Sequence, residues 1–415
     1  MNMKITPHRL CGSVRIPPSK SAAHRNLICA ALSKGESVIS PFCTSVDIKA
    51  TAAALRALGA EITESEIGYK TKMGETPEKA EIDFFESGST ARFLMPIAAA
   101  LGIDATMTGR GRLPERPMKV LCDLLREHGV EVSADNLPIT ISGKMTAGVF
   151  ALPGNISSQY ITGIMLAAPL MEGETEIILT TPLQSVGYID MTISTMARFG
   201  ITVETTEKGW RIPAGQSYKP CDTVTEGDWS TAAFFMSAAA IGGDIRISGL
   251  DFASRQGDMA ALDVFAAFGA DITLEDNVLH IKKGDLRGIT VNAADIPDMV
   301  PAIAATAAFA SGKTVIKNAE RLRIKESDRI KTTVAALHAL GVEAAETADG
   351  MEIYGGGTKG GKVDGANDHR IVMAFSVAAA YAEGESIVTD AEASSKSYPE
   401  FFESFNRLEG IANEI

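Results

Sequence analysis

The amino-acid sequence predicts an α/β protein of two domains, assembled from six pseudo-repeated units of about 70 residues, three to a domain. Three observations carry this. The chain has 415 residues, more than one hydrophobic core ordinarily organises. A helix followed by a glycine turn recurs six times, with turn glycines Gly59, Gly129, Gly200, Gly269, Gly341 and Gly410 spaced by 70, 71, 69, 72 and 69 residues. A second series keeps step with the first. In it an Ala-rich apolar helix ends at Gly35, Gly102, Gly173, Gly242, Gly312 or Gly384 and runs into an alternating strand.

The first series reads ALRALGAEIT, DLLREHGVEV, TMARFGITVE, VFAAFGADIT, ALHALGVEAA and, more weakly, FNRLEGIANE. The second reads LICAALSKGESVIS, FLMPIAAALGIDATMTG, ITGIMLAAPLMEGETEIIL, AAFFMSAAAIGGDIRIS, PAIAATAAFASGKTVIKN and VMAFSVAAAYAEGESIVTD. Glycine suits the end of a helix because it takes φ > 0 without a Cβ clash. The alternation after it, as in Asp244-Ile245-Arg246-Ile247, marks a half-buried strand. A unit this small cannot close a core alone, so neighbours must pack together.

Polar motifs stand at one place in the repeat, just before each Ala-rich helix. They are Ser19–Arg25, Ser87–Arg92, Ser157–Gln159, Gly227–Thr231, Asp295–Asp298 and Asn367–Arg370. Ser, Thr, Asp and Asn there are ordinarily caps for unpaired backbone N–H groups, the reading applied first to Asp228, Ser230 and Asp368. Capping does not explain Lys20, Arg25, Arg92 and Arg370, which are expected in first turns, the wrong end for the helix dipole. Cations are tolerated there when they and the helix N-terminus hold an anion together. Two segments extend the basic set. One is Arg110–Lys119, with Pro117 expected at a first helical position. The other is Arg321–Arg329, where a salt-bridged helix face is an equally good explanation. The Tyr354–Lys362 stretch lacks phosphate-loop spacing and reads as a hairpin between short strands.

The formal charge of −13 argues against nucleic acid as a partner. It leaves room for a local cationic site that takes a small polyanion. The five cysteines (Cys11, Cys29, Cys43, Cys122 and Cys221) form no CxxC pair, and the histidines lack metal-ligand spacing, so no metal and no organic cofactor is expected. Met1–Arg15 lacks a signal-peptide core and the apolar runs are too short to span a bilayer. A cytoplasmic protein without a membrane partner is expected.

The segments PPSKSAAHR, SGSTAR, GRLPERPMK, NISSQY, IPD, RLRIKESDR, NDHRIVMAF and SSKSYPEFF, in this order from Pro17 to Phe402, closely resemble the motifs of the 5-enolpyruvylshikimate-3-phosphate synthases. The resemblance implies a two-domain enolpyruvyl transferase fold of βαβαββ units. It places residues 1–18 with 227–415 in one domain, 19–226 in the other, and the active-site cleft between them. It implies transfer of the enolpyruvyl group of phosphoenolpyruvate to shikimate-3-phosphate, a monomer, domain closure around the anionic substrates, and sensitivity to glyphosate. Residue by residue, it gives Lys20, Gly88, Arg92, Arg116, Gln159, Arg329, His369, Arg370 and Lys396 to phosphoenolpyruvate. It gives Lys20, Ser21, Arg25, Ser157, Ser158, Gln159, Ser185, Tyr188, Asp298 and Lys325 to shikimate-3-phosphate. The catalytic set is Asp298 as base, with Glu326 or Lys20 protonating the methylene carbon. Glu86 departs from the family pattern, which often has Asn there, and this puts an amide contact in doubt. Two other readings stay open. A UDP-N-acetylglucosamine enolpyruvyl transferase would carry Lys-Asn in place of Lys20-Ser21 and a reactive loop Cys, whereas Cys122 reads as a core thiol. A binding protein without catalysis would not need Asp298 and Glu326.

Overall fold

The computed structural model describes residues 1–415 and divides into two compact units. The continuous unit is Lys20–Thr225; the discontinuous unit joins Met1–Ser19 to Glu226–Ile415. Each has its own apolar core and three four-stranded sheets. No helix is long and apolar enough to cross a membrane.

One copy shows how the repeat folds. Strand Lys79–Asp83 leads to helix Gly88–Leu101, strand Asp104–Thr108, helix Lys119–Glu127 and the strands Glu131–Val132 and Ile139–Ser142. The first two strands pair in parallel, Lys79 opposite Asp104. Ile139–Ser142 runs antiparallel to Asp104–Thr108 and carries Glu131–Val132 on its outer side. Asp104–Thr108 alternates exposed and buried residues, so one sheet face meets the core and the other meets water.

All six sheets keep this order, but three borrow strands from distant parts of the chain. Lys20 enters its helix directly, so the first sheet of the continuous unit takes its parallel strand from Thr223–Val224, beside Ser37–Ser40. In the discontinuous unit Cys11–Arg15 pairs in parallel with Asp244–Ser248. Met3–Thr6 lies between Ser386–Val388 and Ile411–Glu414. The sixth copy thus takes its last strand from the opposite end of the chain. That copy also moves its left-handed residue from Gly410 to Glu409 (φ 66°), while a Cβ on Gly410 would meet Phe405.

The Ala-rich helices are the inner layer. Every residue of Trp229–Ile241 is buried, including Phe234 and Phe235, each worth about 1.5–3 kcal/mol. Small side chains let these helices approach one another. A Cβ on Gly163 would stand 2.2 Å from the carbonyl oxygen of Arg92. Pro96 sits four residues after Arg92 in the same helix and has no N–H to offer that carbonyl.

Several expectations are corrected. Gly35, Gly242 and Gly384 do not adopt positive φ; their missing side chains make room for Pro220, Tyr381 and the Lys359 carbonyl. Pro117 precedes helix Lys119–Glu127 and is not its first residue. Arg25 is the sixth residue of helix Lys20–Ala31 and Arg92 the fifth of helix Gly88–Leu101, both in the second turn and not the first. Tyr354–Lys362 connects two different sheets and is not a hairpin.

Candidate active site

In the continuous unit the candidate residues gather at helix N-termini. Ser87 caps the Thr90 N–H and Ser157 the Gln159 N–H, which fixes both helix starts. Gly88 opens the first of these helices beside two buried guanidiniums. A Cβ there would fall 2.6 Å from Arg92 Nη1 and 2.7 Å from Arg116 Nη1, so only glycine leaves both where they are. Arg92 donates to Gln159 Oε1 (2.8 Å) and to the Pro117 carbonyl (3.3 Å); Gln159 Nε2 donates to Ser89 Oγ. Two cations and the amide ends of a helix form a cradle suited to an anion.

Lys20 is paired with Asp47 at 2.8 Å. Arg25 is buried and donates to Thr192 Oγ1, Thr162 Oγ1 and the Ser21 and Tyr188 carbonyls, tying the Lys20 helix to the one that carries Tyr188. Burial pulls its pKa down to about 10, which keeps it a cation at neutral pH. Ser185 precedes that second helix in the left-handed region (φ 59°) and is almost fully buried. His24 contacts Thr51 Oγ1 at 2.8 Å, and Thr51 meets Thr90 at 2.7 Å. Burial, then Lys20 and Arg25, hold its pKa well below the usual histidine value, so it is neutral.

In the discontinuous unit Asp298, on the turn Pro297–Met299, is the centre of an ionic cluster. Arg329 Nη1 donates to Oδ1 at 2.9 Å and Arg370 Nη2 to Oδ2 at 3.0 Å, with Lys325 Nζ 3.6 Å from Oδ1. Arg370 Nη1 also donates to the Asp298 carbonyl, at 2.9 Å. Arg329, only 1% exposed, donates further to Glu326 (2.6 Å) and Asp368 (2.8 Å). Burial acts to raise the Asp298 pKa, but Arg370, Lys325 and Arg329 outweigh it and hold the carboxyl well below its usual range. For Arg329, burial acts to lower the value, and Asp368, Glu326 and Asp298 hold it above that of an ordinary arginine. His369 is buried with Nδ1 3.8 Å from Asp368 Oδ1, and Lys396 donates to the Asn367 carbonyl at 2.7 Å.

A family model described as EPSP synthase (3-phosphoshikimate 1-carboxyvinyltransferase) matches residues 5–405. The chain belongs to the EPSP synthase family. It is 41% identical to the 3-phosphoshikimate 1-carboxyvinyltransferase of Clostridium novyi, over 100% of this chain and 98% of that one. The enzyme of the same name from Clostridium acetobutylicum is 42% identical, over 99% and 98%. Among solved structures, EPSP synthase from Acinetobacter baumannii aligns over 100% of both chains with a TM-score of 0.84 and 28% identity. The reaction is therefore transfer of the enolpyruvyl group of phosphoenolpyruvate to shikimate-3-phosphate, a step towards the aromatic amino acids.

Among the sequence motifs of an EPSP synthase, the structure separates caps from site residues. Asp228 caps Thr231, and Asp368 caps Arg370 while also binding Arg329. Ser230 is not a cap: it lies inside its helix and donates to Asp258. The Arg321–Arg329 segment is no continuous helix face. Arg323 bridges Asp328 and Glu346 for stability, Arg321 binds the Ala294 carbonyl, and Arg329 turns to Asp298. Cys122 is a core thiol that burial pushes up to about 11. Sequence reasoning missed Asp47 and Asp258. Asp47 could have been found from the Ser45 cap that starts its helix.

Proposed function

We propose that the transfer proceeds by addition and then elimination, with Asp298 as the base that takes the proton from the attacking hydroxyl of shikimate-3-phosphate. That hydroxyl oxygen bonds to C2 of phosphoenolpyruvate while Glu326, or Lys20, delivers a proton to the methylene carbon. A tetrahedral intermediate results. Loss of a methyl proton and of inorganic phosphate then restores the double bond. Each proton transfer contributes about 10²–10⁴ in rate.

The observation that carries this reading is the position of the Asp298 carboxylate between Arg329 and Arg370, both buried. A base so clamped is weak until its arginines turn to another anion. The phosphate and carboxylate of phosphoenolpyruvate are such an anion, so donor binding would raise the basicity of Asp298 when it is needed. His369 and Lys396 take part on the same side. Lys20, Gly88, Arg92, Arg116 and Gln159 supply the other donor contacts, supported by the crowding of guanidiniums around Gly88. Ser21, Arg25, Ser157, Ser158, Gln159, Ser185, Tyr188 and Lys325 bind shikimate-3-phosphate. The absence of any disulfide among the five cysteines supports a cytoplasmic setting.

Solvent deuterium entering the methylene group of phosphoenolpyruvate during turnover tests the proton donor. Glu326→Gln abolishes the exchange if Glu326 is the acid, and Lys20→Met does so if Lys20 is. Exchange at the normal rate in both variants defeats the assignment.

A further inference from the structure

Asp258 has no part in the chemistry above, yet its surroundings tie it to that chemistry. It lies on the turn Gly257–Ala260 and is 4% exposed. Oδ2 accepts a short hydrogen bond from Ser230, and Oδ1 is buried without a hydrogen-bond partner. Helix Trp229–Ile241 carries Ser230 in its first turn and packs both on this turn and on Pro297–Met299, which bears Asp298. The charges acting on Asp258 are those of Asp298, Arg370 and Asp228. Helix Ala261–Phe268, which also packs on the turn, adds only the exposed Asp263, and Arg255 is exposed as well. Arg370 is engaged by Asp298 and Asp228 caps its helix. An ionised Asp258 would thus leave a charged oxygen buried and unpaired beside two carboxylates.

We propose that Asp258 is held as a neutral carboxylic acid and acts as a positioning residue through Arg370, its proton keeping a second negative charge away from the guanidinium that receives the anionic donor. This rests on the assignment of Arg370 to phosphoenolpyruvate made above. Burial first, then Asp298, raises Asp258 to about 7, against smaller opposing effects of Ser230 and Arg370. The proton is therefore lost as the pH rises through neutrality, and donor affinity falls with it.

The test compares the full-length enzyme with Asp258→Asn, a neutral side chain of the same shape. KM for phosphoenolpyruvate in the parent should rise about tenfold more than in the variant between about pH 6 and pH 8.5, with kcat changing much less. Infrared difference spectra at pH 6 should show a carboxylic-acid carbonyl band in the parent that the variant lacks. Ser230→Ala is the second variant. It removes a hydrogen bond that favours the ionised form, so the rise in KM should move to higher pH. Parallel KM profiles, or no such band, overturn the proposal. Arg370→Lys tells the two assumptions apart: an unchanged KM means that the reading of Arg370 has failed and the proposal with it. A raised KM with parallel parent and Asp258→Asn profiles means that the proposal fails on its own.

Discussion

Replacing Asp298 by Asn keeps the side-chain volume and removes one charge from a buried cluster in which Asp298, Glu326 and Asp368 face Arg329, Arg370 and Lys325. Breaking a buried ion pair from one side typically costs 3–5 kcal/mol. Here Arg329 keeps Asp368 and Glu326, and Arg370 keeps the backbone carbonyl of residue 298, so the expected loss is about 2–3 kcal/mol. Turnover should fall about 10²–10⁴-fold, because an amide cannot take the hydroxyl proton. Affinity for phosphoenolpyruvate should stay the same or improve, since Arg329 and Arg370 no longer have the Asp298 carboxylate to leave. Urea denaturation gives the first quantity, single-turnover phosphate release the second, and calorimetry with phosphoenolpyruvate the third. Turnover within about threefold of the parent would refute Asp298 as the base. Much weaker donor binding in a folded variant would refute the competition between Asp298 and the donor for the two arginines.

Three further outcomes follow from the same geometry. In Gly163→Ala the new methyl meets the Arg92 carbonyl, so the two helices must separate by about 1 Å. Melting should drop by roughly 5–10 °C with a loss of about 2–3 kcal/mol. Gly88→Ala displaces the mobile ends of Arg92 and Arg116 and not backbone. Stability should change by less than about 1 kcal/mol while KM for phosphoenolpyruvate rises about tenfold, as measured by initial rates. The carboxyls of Asp298 and Asp258 give stability opposite pH dependences. Asp298, held below its unfolded value, contributes stability above about pH 4 that is lost as the pH falls through its folded value. Asp258, raised to about 7, contributes stability that is full below about pH 4 and gone once the pH has risen through 7. Denaturation midpoints of the parent should therefore fall between those limits relative to Asp258→Asn.

The helices and turns were legible because glycine and alanine state their backbone and packing roles locally. Gly59, Gly129, Gly200, Gly269 and Gly341 all occupy the left-handed region that their spacing implied. Two cations of the candidate site were legible too, since Lys20 and Arg370 stand in first turns, where a helix dipole would not favour them. What the sequence could not show was pairing across long separations. Lys20 meets Asp47 from the neighbouring helix, and Asp258 meets Ser230 and Asp298 only because one helix packs on two turns. Ser230 looked like a cap because helix starts are legible only to within a residue or two, and the boundary at Asp228 decides it. The resemblance put residues 1–18 with 227–415, but it did not say which strands Met3–Thr6 and Cys11–Arg15 would pair with.

The borrowed strands also set an order of events during synthesis. Everything that the continuous unit needs, up to Thr223–Val224, is translated before residues 226–415 of the discontinuous unit. The discontinuous unit is in the opposite position. Met3–Thr6 is made early and waits for Ser386–Val388 and Ile411–Glu414, which are translated far later. For most of translation this strand exposes unpaired backbone groups on both edges, the kind of surface that chaperones cover and aggregates recruit. Removing residues 411–415 would delete the strand beside Met3–Thr6, so two segments far apart in sequence bear jointly on whether this sheet forms.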